Sequence, residues 1–470
     1  MLEGLEITEM LLSEVYNNNE KKRIDSGYFS KPMLTSDFMV RCFPGGYDEL
    51  GKVFSRFSKG IFDIKSDTYT DSGIPFLRIS NLKNGLIDKK NLAFISESAH
   101  ENQKKTELKK SDIVLSKTGY PSASIVTLDQ CNASQDTIVT TLSSYGRKSY
   151  LPEFIVMYLN SLEGKRLLWR QFQGNVQLHL SLDDGRKVPI PRFGMEIQKL
   201  IKLVFDKSME NEKLAIEHLK KSELVLAESL GLSSWEEPVQ SNYIRKFSDV
   251  FNSERLDAEH FLPKYSQLVE LIEKTGDAKM LGQCLDLNQR GKQPKYSEIG
   301  LPVINSKHVQ AGSVTLNVDN RCALHDDKTL LIKQGDVLIN GTGVGTIGRS
   351  SPYLHEGNAI PDNHVTILRP KEGLDPVYLS VFLNSIAGQL QVEQWFRGSS
   401  GQIELYPIDI ARFKIWVAPE DIQGKIRQAV SDSYVASQKS KELLGVASKS
   451  VEIAIEESEK EAIKYLKGYC

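Results

Sequence analysis

Gly73-Ile74-Pro75-Phe76-Leu77-Arg78-Ile79-Ser80-Asn81-Leu82-Lys83-Asn84-Gly85 returns as Gly300-Leu301-Pro302-Val303-Ile304-Asn305-Ser306-Lys307-His308-Val309-Gln310-Ala311-Gly312, displaced by 227 residues at both ends. Solenoid units repeat at roughly 20–50 residues, so a period this long marks a duplicated domain. The match continues outward in order. Arg23-Ile24-Asp25-Ser26-Gly27-Tyr28-Phe29 aligns with Arg255-Leu256-Asp257-Ala258-Glu259-His260-Phe261. Asp112-Ile113-Val114-Leu115 aligns with Asp336-Val337-Leu338-Ile339, and Thr118-Gly119 with Thr342-Gly343. Leu159-Asn160-Ser161 with Gly164 aligns with Leu383-Asn384-Ser385 with Gly388, and Phe172-Gln173-Gly174 with Phe396-Arg397-Gly398. The displacement drifts by only a few residues, as small loop insertions on one scaffold would make it do. Two similar modules present two binding surfaces.

The chain has 470 residues, 40% hydrophobic and 26% charged, an ordinary soluble composition. At about 100–200 residues per domain, two to four domains fit, and the repeat favours two. No apolar run nears the ~18 residues of a membrane span. The start, Met1-Leu2-Glu3-Gly4-Leu5-Glu6, lacks the basic and apolar regions of a secretory signal. Five scattered cysteines without a C-x-x-C pair point to a reducing, cytoplasmic setting and away from zinc or disulfides. The net charge of −2 is low for a nucleic-acid binder, which is often basic. A global sum hides local clusters, here Lys104-Lys105, Lys109-Lys110 and Arg147-Lys148.

Each half reads as strands followed by helix, a mixed α+β pattern. Ile74 to Ile79 and Asp112 to Leu115 are short β-branched runs between turn residues, which suits strands. Glu153 to Trp169 carries apolar residues at helical spacing. Val188-Pro189-Ile190-Pro191 and Ala418-Pro419 break regular structure. After each break a long helix is expected: Glu196 to Leu230, with Ile201, Phe205, Ile216, Leu219, Leu226 and Leu230 on its stripe, and Ile422 to Leu466, with Val451, Ile455, Ala462 and Leu466. About 35 residues at about 1.5 Å each make a rod on the order of 50 Å, whose apolar stripe needs a partner. The economical partner is the other rod, packed antiparallel as a coiled-coil-like spacer. The alternative is that each helix caps its own domain. The expected division is 1–195 and 239–419 for the two modules, with 196–238 and 420–470 as the spacer helices, related by a pseudo-two-fold.

A search for catalytic chemistry returns nothing. Gly343-Val344-Gly345-Thr346-Ile347-Gly348 fits G-x-G-x-x-G and follows a strand, but Arg349-Ser350-Ser351-Pro352-Tyr353 opens no helix to receive a pyrophosphate. A glycine-rich hairpin is expected there, reduced to Gly119-Tyr120-Pro121-Ser122 in the first half. No P-loop and no G-x-S-x-G elbow occurs. Asp183-Asp184 and Asp326-Asp327 read as turns, and no metal-ligand spacing is present. What remains are polar, basic and aromatic residues on loops at matching places. The first half offers Arg78, Asn81, Lys83, Lys117, Tyr120, Gln173, Asn175 and Gln177. The second offers Asn305, Lys307, His308, Asn340, Thr342, Arg349, Arg397, Ser399 and Gln402. Arg and Lys pair with guanine edges and Asn and Gln with adenine, while Lys and backbone N–H groups hold phosphates. The bland alternative for any one of them is a solvated loop.

The ordered pairs of R-[IL]-D-x-x-x-F, G-[IL]-P, D-[IV]-[VL]-[LI], L-N-S and the I-Q helix starts at Ile197-Gln198 and Ile422-Gln423 resemble the specificity subunit of type I restriction-modification enzymes. The resemblance covers nearly the whole chain. It departs at Tyr16-Asn17-Asn18-Asn19 and at the reduced first hairpin. It implies two target-recognition domains, each reading one half of a split double-stranded DNA sequence, with the long helices as the ruler for the gap. It implies a subunit without catalysis that docks two methylation subunits and, through them, restriction subunits. S-adenosylmethionine, ATP and Mg would then sit on those partners and no cofactor on this chain. Two other classes stay open: a non-catalytic assembly scaffold without DNA specificity, and an enzyme with a hidden site.

Overall fold

Runs such as Ile113-Val114-Leu115, β-branched and bounded by turn residues, form strands, and the amphipathic stretches form helices, in a computed structural model that describes residues 8–17, 23–61, 64, 68–89, 92–174, 178–238, 243–316, 320–398, 401 and 403–470. The chain divides into two compact units, Met1–Glu212 with Ser437–Cys470, and Lys213–Ala436. Both divisions fall inside long helices.

The first unit is built on an antiparallel sheet in the spatial order Ala123–Ile125, Ile113–Ser116, Thr137–Leu142, Phe54–Lys59. A second sheet runs Tyr69–Thr70, Ala93–Ile95, Ile74–Leu77, Gln130–Ala133, Leu108–Lys109, with one parallel pairing, Phe76 to Asn132. The second unit repeats both. Its antiparallel sheet runs Ser350–Pro352, Val337–Asn340, Val365–Pro370, Leu285–Arg290. Its other sheet runs Tyr296–Ser297, Cys322–Ala323, Leu301–Ile304, Ile360–Pro361, again with one parallel pairing, Val303 to Ile360. Apart from Leu108–Lys109, which adds a fifth strand to the first unit's second sheet, the strand order is the same in each, so the sequence repeat is a repeat of topology in an α+β fold.

The repeated residues are the bonds that close each unit. Arg23 clasps Asp25 with two nitrogens at 2.7 and 2.9 Å and reaches the Arg170 carbonyl with a third. Arg255 clasps Asp257 at 2.6 Å twice and reaches the Phe396 carbonyl. Asp112 accepts the Lys109 N–H, as Asp336 accepts that of Lys333. Asn160 accepts the Ala123 N–H and donates to the Ala123 carbonyl; Asn384 does the same with Ser350. Gln198 accepts the Leu151 N–H and donates to the Ser149 and Phe193 carbonyls, docking its helix on the unit. Gln423 accepts from Asp375 and donates to Gly373 and Ala418. Gly164 and Gly388 are forced: an added Cβ would lie 1.9 Å from the Tyr158 carbonyl oxygen and 2.2 Å from that of Leu383.

Pro189–Pro191 does not break regular structure but forms a short strand paired antiparallel with Tyr47–Glu49, and two further sequence expectations need correction. Glu153 to Trp169 is two helices, Pro152–Asn160 and Leu162–Gln171, because Ser161 leaves helical geometry and caps the second through Gly164 N–H. The second long helix does not reach Leu466. It spans Glu420–Glu456, and Ser458 caps a separate helix, Glu459–Leu466. The first spans Met195–Ser229, and its stripe is Ile197, Ile201, Val204, Phe205 and Leu226, all buried, whereas Ile216 is 48% exposed; Leu230, also buried, lies just past its end.

Within the first unit, Gly194 N–H donates to Glu459 at 3.1 Å and Ser208 Oγ to the Ser440 carbonyl at 3.0 Å. Rising numbers on one segment meet falling numbers on the other, so they run antiparallel there. Within the second unit, Ser433 Oγ donates to the Ala215 carbonyl at 2.7 Å, and Leu226 and Leu230 share a core with Ile426 and Val430. Among the described residues no helix is long and apolar enough to cross a membrane.

Candidate nucleic-acid interface

In each unit the fold gathers the same three loops. In the first, Ile125 N–H donates to the Gly85 carbonyl and Asn84 N–H to Ser122 Oγ, joining loop 78–85 to loop 117–122. Leu180 N–H donates to the Lys117 carbonyl at 2.7 Å, and Thr118 bridges His179, bringing in the paired strands Phe172–Gln173 and His179–Leu180. In the second, Asn340 donates to the Ser306 carbonyl and Arg349 to Gln310 Oε1 at 3.2 Å, joining 305–312 to 341–349. Leu405 N–H donates to the Gly341 carbonyl at 2.8 Å, and Thr342 bridges Glu404.

The candidates separate by what their side chains do. Asn81 and His308 occupy equivalent turns and are 2% and 3% exposed. Asn81 Oδ1 accepts the Arg78 N–H at 2.9 Å, and His308 Nδ1 accepts that of Asn305 at 3.2 Å. Asn340 is also buried. These three hold loops in shape from inside and do not lie on the loop surface. Arg78, Lys83, Tyr120, Lys307 and Arg397 are exposed, and Lys117, Gln173, Asn305, Thr342 and Arg349 are half-buried. Asn175, Gln177, Ser399 and Gln402 lie outside the described residues.

The surfaces differ between units. In the first, Tyr120 is 83% exposed and stacks on Trp169 at 5.3 Å between centroids; Trp169 stacks on Phe172 at 5.5 Å. Gln173 donates to buried Asp184 at 3.1 Å. In the second, the residue at the Gln173 position is Arg397, which clasps buried Asp409 at 2.7 and 3.0 Å. That carboxylate pushes the Arg397 pKa up. Where the first unit has His179, the second has Glu404, whose carboxyl is held below its ordinary pKa by the Tyr406 hydroxyl and by Arg290 at 3.4 Å. Thr342 Oγ1 meets His364 at 2.8 Å. Sequence reading passed over Trp169, His179, Arg290, His364, Glu404 and Tyr406. The signal for His179 and Glu404 was available: they sit at matching places in the repeat and differ in charge.

The glycine-rich stretch Gly343 to Gly348 turns between two antiparallel strands, Val337–Asn340 and Ser350–Pro352, with positive φ at Gly343, Gly345 and Gly348. No helix follows, so the dinucleotide-binding geometry is absent there.

No family model matches the chain, and no curated protein matches it. Among solved structures, the chain is similar to a type I restriction-modification S subunit from M. genitalium, at 13% identity and TM-score 0.35, covering 90% of this chain and 94% of that one. It is similar to the HsdS subunit from Thermoanaerobacter tengcongensis at 15% identity and TM-score 0.29, covering 88% and 97%. A chain from a study of type I R-M complex assembly gives 15% identity and TM-score 0.31, covering 88% and 98%. Identity and superposition at this level transfer no residue's role to this chain.

Proposed function

We propose that this chain is the DNA-specificity subunit of a type I restriction-modification enzyme, without catalysis of its own. One observation carries the reading. Both units keep the same closing bonds, Arg23–Asp25 with Arg255–Asp257 and Asn160 with Asn384, yet differ at the same three loops. A frame held constant under variable loops is what two readers of different sequences require. Each unit reads one half of a bipartite double-stranded target. In the first, Arg78, Lys83, Lys117 and Gln173 face the groove and Tyr120 offers a stacking plane. In the second, Lys307, Arg349 and Arg397 do the reading. The long helices set the unread gap. Two methylation subunits bind the chain and carry S-adenosylmethionine, and restriction subunits with ATP and Mg join through them.

The test is methylation mapping across a genome, in cells with and without this chain and its methylation subunits. The expected result is one split sequence methylated only in its presence. Methylation without sequence preference sinks the reading. DNA affinity must also fall steeply with salt; affinity for a protein partner alone, indifferent to salt, would favour an assembly scaffold.

A further inference from the structure

The two units differ by an exchange at the point where their loops meet. In the first, Lys117 N–H donates to the Asp136 carbonyl at 2.8 Å, and Thr118, next along, bridges His179. In the second, Gly341 N–H donates to the His364 carbonyl at 2.8 Å, and Thr342, next along, bridges Glu404. The same backbone bonds thus flank a threonine with an acid and a histidine in both units, in swapped places. Asp136 stands where His364 does, and His179 stands where Glu404 does. His179 and His364 are exposed.

Glu404 is held with more force than a loop acid needs. Its N–H donates to the Arg397 carbonyl at 2.8 Å, and its carbonyl accepts the Arg397 N–H at 2.7 Å. With Thr342 on the other side, the residue is fixed between the glycine-rich turn and the segment at 397. Its side chain nevertheless stays 41% exposed. The Tyr406 hydroxyl and Arg290, at 3.4 Å, hold it charged. A carboxylate has about four lone-pair sites, so these two donors leave it able to accept more.

A fixed negative charge on a surface that meets phosphates costs affinity on every sequence. That cost is offset where the carboxylate meets a base that donates. In the major groove, cytosine N4 and adenine N6 carry an amino group, whereas guanine and thymine present acceptors. A carboxylate there favours cytosine or adenine and repels the other two. An imidazole has an N–H in either tautomer, and it suits the O6 and N7 acceptors of guanine.

We infer that Glu404 and His179 each fix one base of the target, an amino-bearing base (cytosine or adenine) at Glu404 and a guanine at His179. The two halves then demand opposite hydrogen-bond character at the equivalent place. The inference rests on the proposed function, which turns these loops towards DNA.

The experiment uses the full chain with its methylation subunits. Methylation mapping compares wild type with E404H and H179E. E404H should exchange cytosine or adenine for an acceptor-bearing base at one position of one half. H179E should admit cytosine or adenine at one position of the other half. Binding is then titrated on duplexes carrying one analogue at a time in the half that E404H alters. The analogues are 2-pyrimidinone for cytosine and unsubstituted purine for adenine, each lacking the amino group. One analogue should weaken wild type by roughly tenfold and cost E404A nothing further; which analogue does so tells cytosine from adenine. Wild-type unfolding midpoints and an unaltered second half exclude misfolding, and the analogue series on wild type needs no variant. No penalty from any analogue, or the same penalty in wild type and E404A, overturns the inference while the proposed function stands. So does a variant whose affinity changes by one factor on every sequence, the mark of a carboxylate that only balances Arg290. A wild-type complex that methylates without sequence preference overturns both.

Discussion

Asn160 and Asn384 make the same bonds in the two units, whereas Gln173 and Arg397, at equally matched places, do not. Asn160 grips the backbone of Ala123 and Asn384 that of Ser350, each with donor and acceptor used. Gln173 offers one neutral bond to Asp184, while Arg397 makes a bidentate ion pair with Asp409. The first pair is frame, and a change there would be felt throughout its unit. The second lies at the mouth of a hairpin and can vary because a buried Asp accepts either donor. The lesson is that matched position alone does not tell frame from surface; the bonds do.

The comparison can be broken at its strongest point with Gly164→Ala and Gly388→Ala. Each Cβ would meet a carbonyl oxygen far inside contact distance. Each variant should destabilise its own unit by about 3 kcal/mol or more, read by hydrogen exchange unit by unit. A large effect in one unit and none in the other would mean the frames are not equivalent.

A smaller effect is expected where the units differ in the interior. Glu163 is fully buried, and neither carboxylate oxygen has a hydrogen-bond partner among the described residues. The matched residue in the second unit is Ala387. Burial, with Glu452 and Glu456 nearby, raises the Glu163 pKa. An acid whose folded pKa is raised costs stability above that pKa and nothing below its unfolded value. Glu163→Gln should therefore stabilise the first unit by about 1 kcal/mol at pH 8, and the gain should vanish as pH falls towards the ordinary carboxylate range. A gain that persists at low pH would assign it to packing instead of charge.

The smallest change in stability and the sharpest in function belongs to Gln173→Arg, which copies the second unit into the first. Stability should shift by no more than about 0.5 kcal/mol, as surface changes do. Methylation mapping should show one half of the target altered and the other kept. Alteration of both halves, or of neither, would remove residue 173 from the reading surface.

Much of this frame was legible in the sequence. The repeat located both sheets, both clasped Arg-x-Asp turns and the start of each long helix, because those positions are constrained to few residue types. The break at Glu457-Ser458 was masked by an apolar stripe that continues through Val451, Ile455, Ala462 and Leu466, although Ser458-Glu459-Lys460-Glu461 carries the spacing of a helix start. Asn81 and His308 were legible as polar loop residues but not as turn closers, since the N–H groups they accept become visible only once the chain bends back. Trp169 and His179 were out of reach for a different reason. Each acquires its setting from a strand-joining loop far away in sequence, Trp169 from Tyr120 and His179 from Thr118.

Asn160 and Asn384 have one more consequence. The strands they hold, Ala123–Ile125 and Ser350–Pro352, are the outermost of their sheets. A bare edge exposes N–H and C=O groups that would template another strand. The two amides occupy that edge where it begins. At its far end the units diverge: Ile125 gives its N–H to Gly85, while the matched residue is Pro352, which has none to give. The protein has sealed the same seam against aggregation in two ways, by a backbone clamp in one copy and by an imino acid in the other.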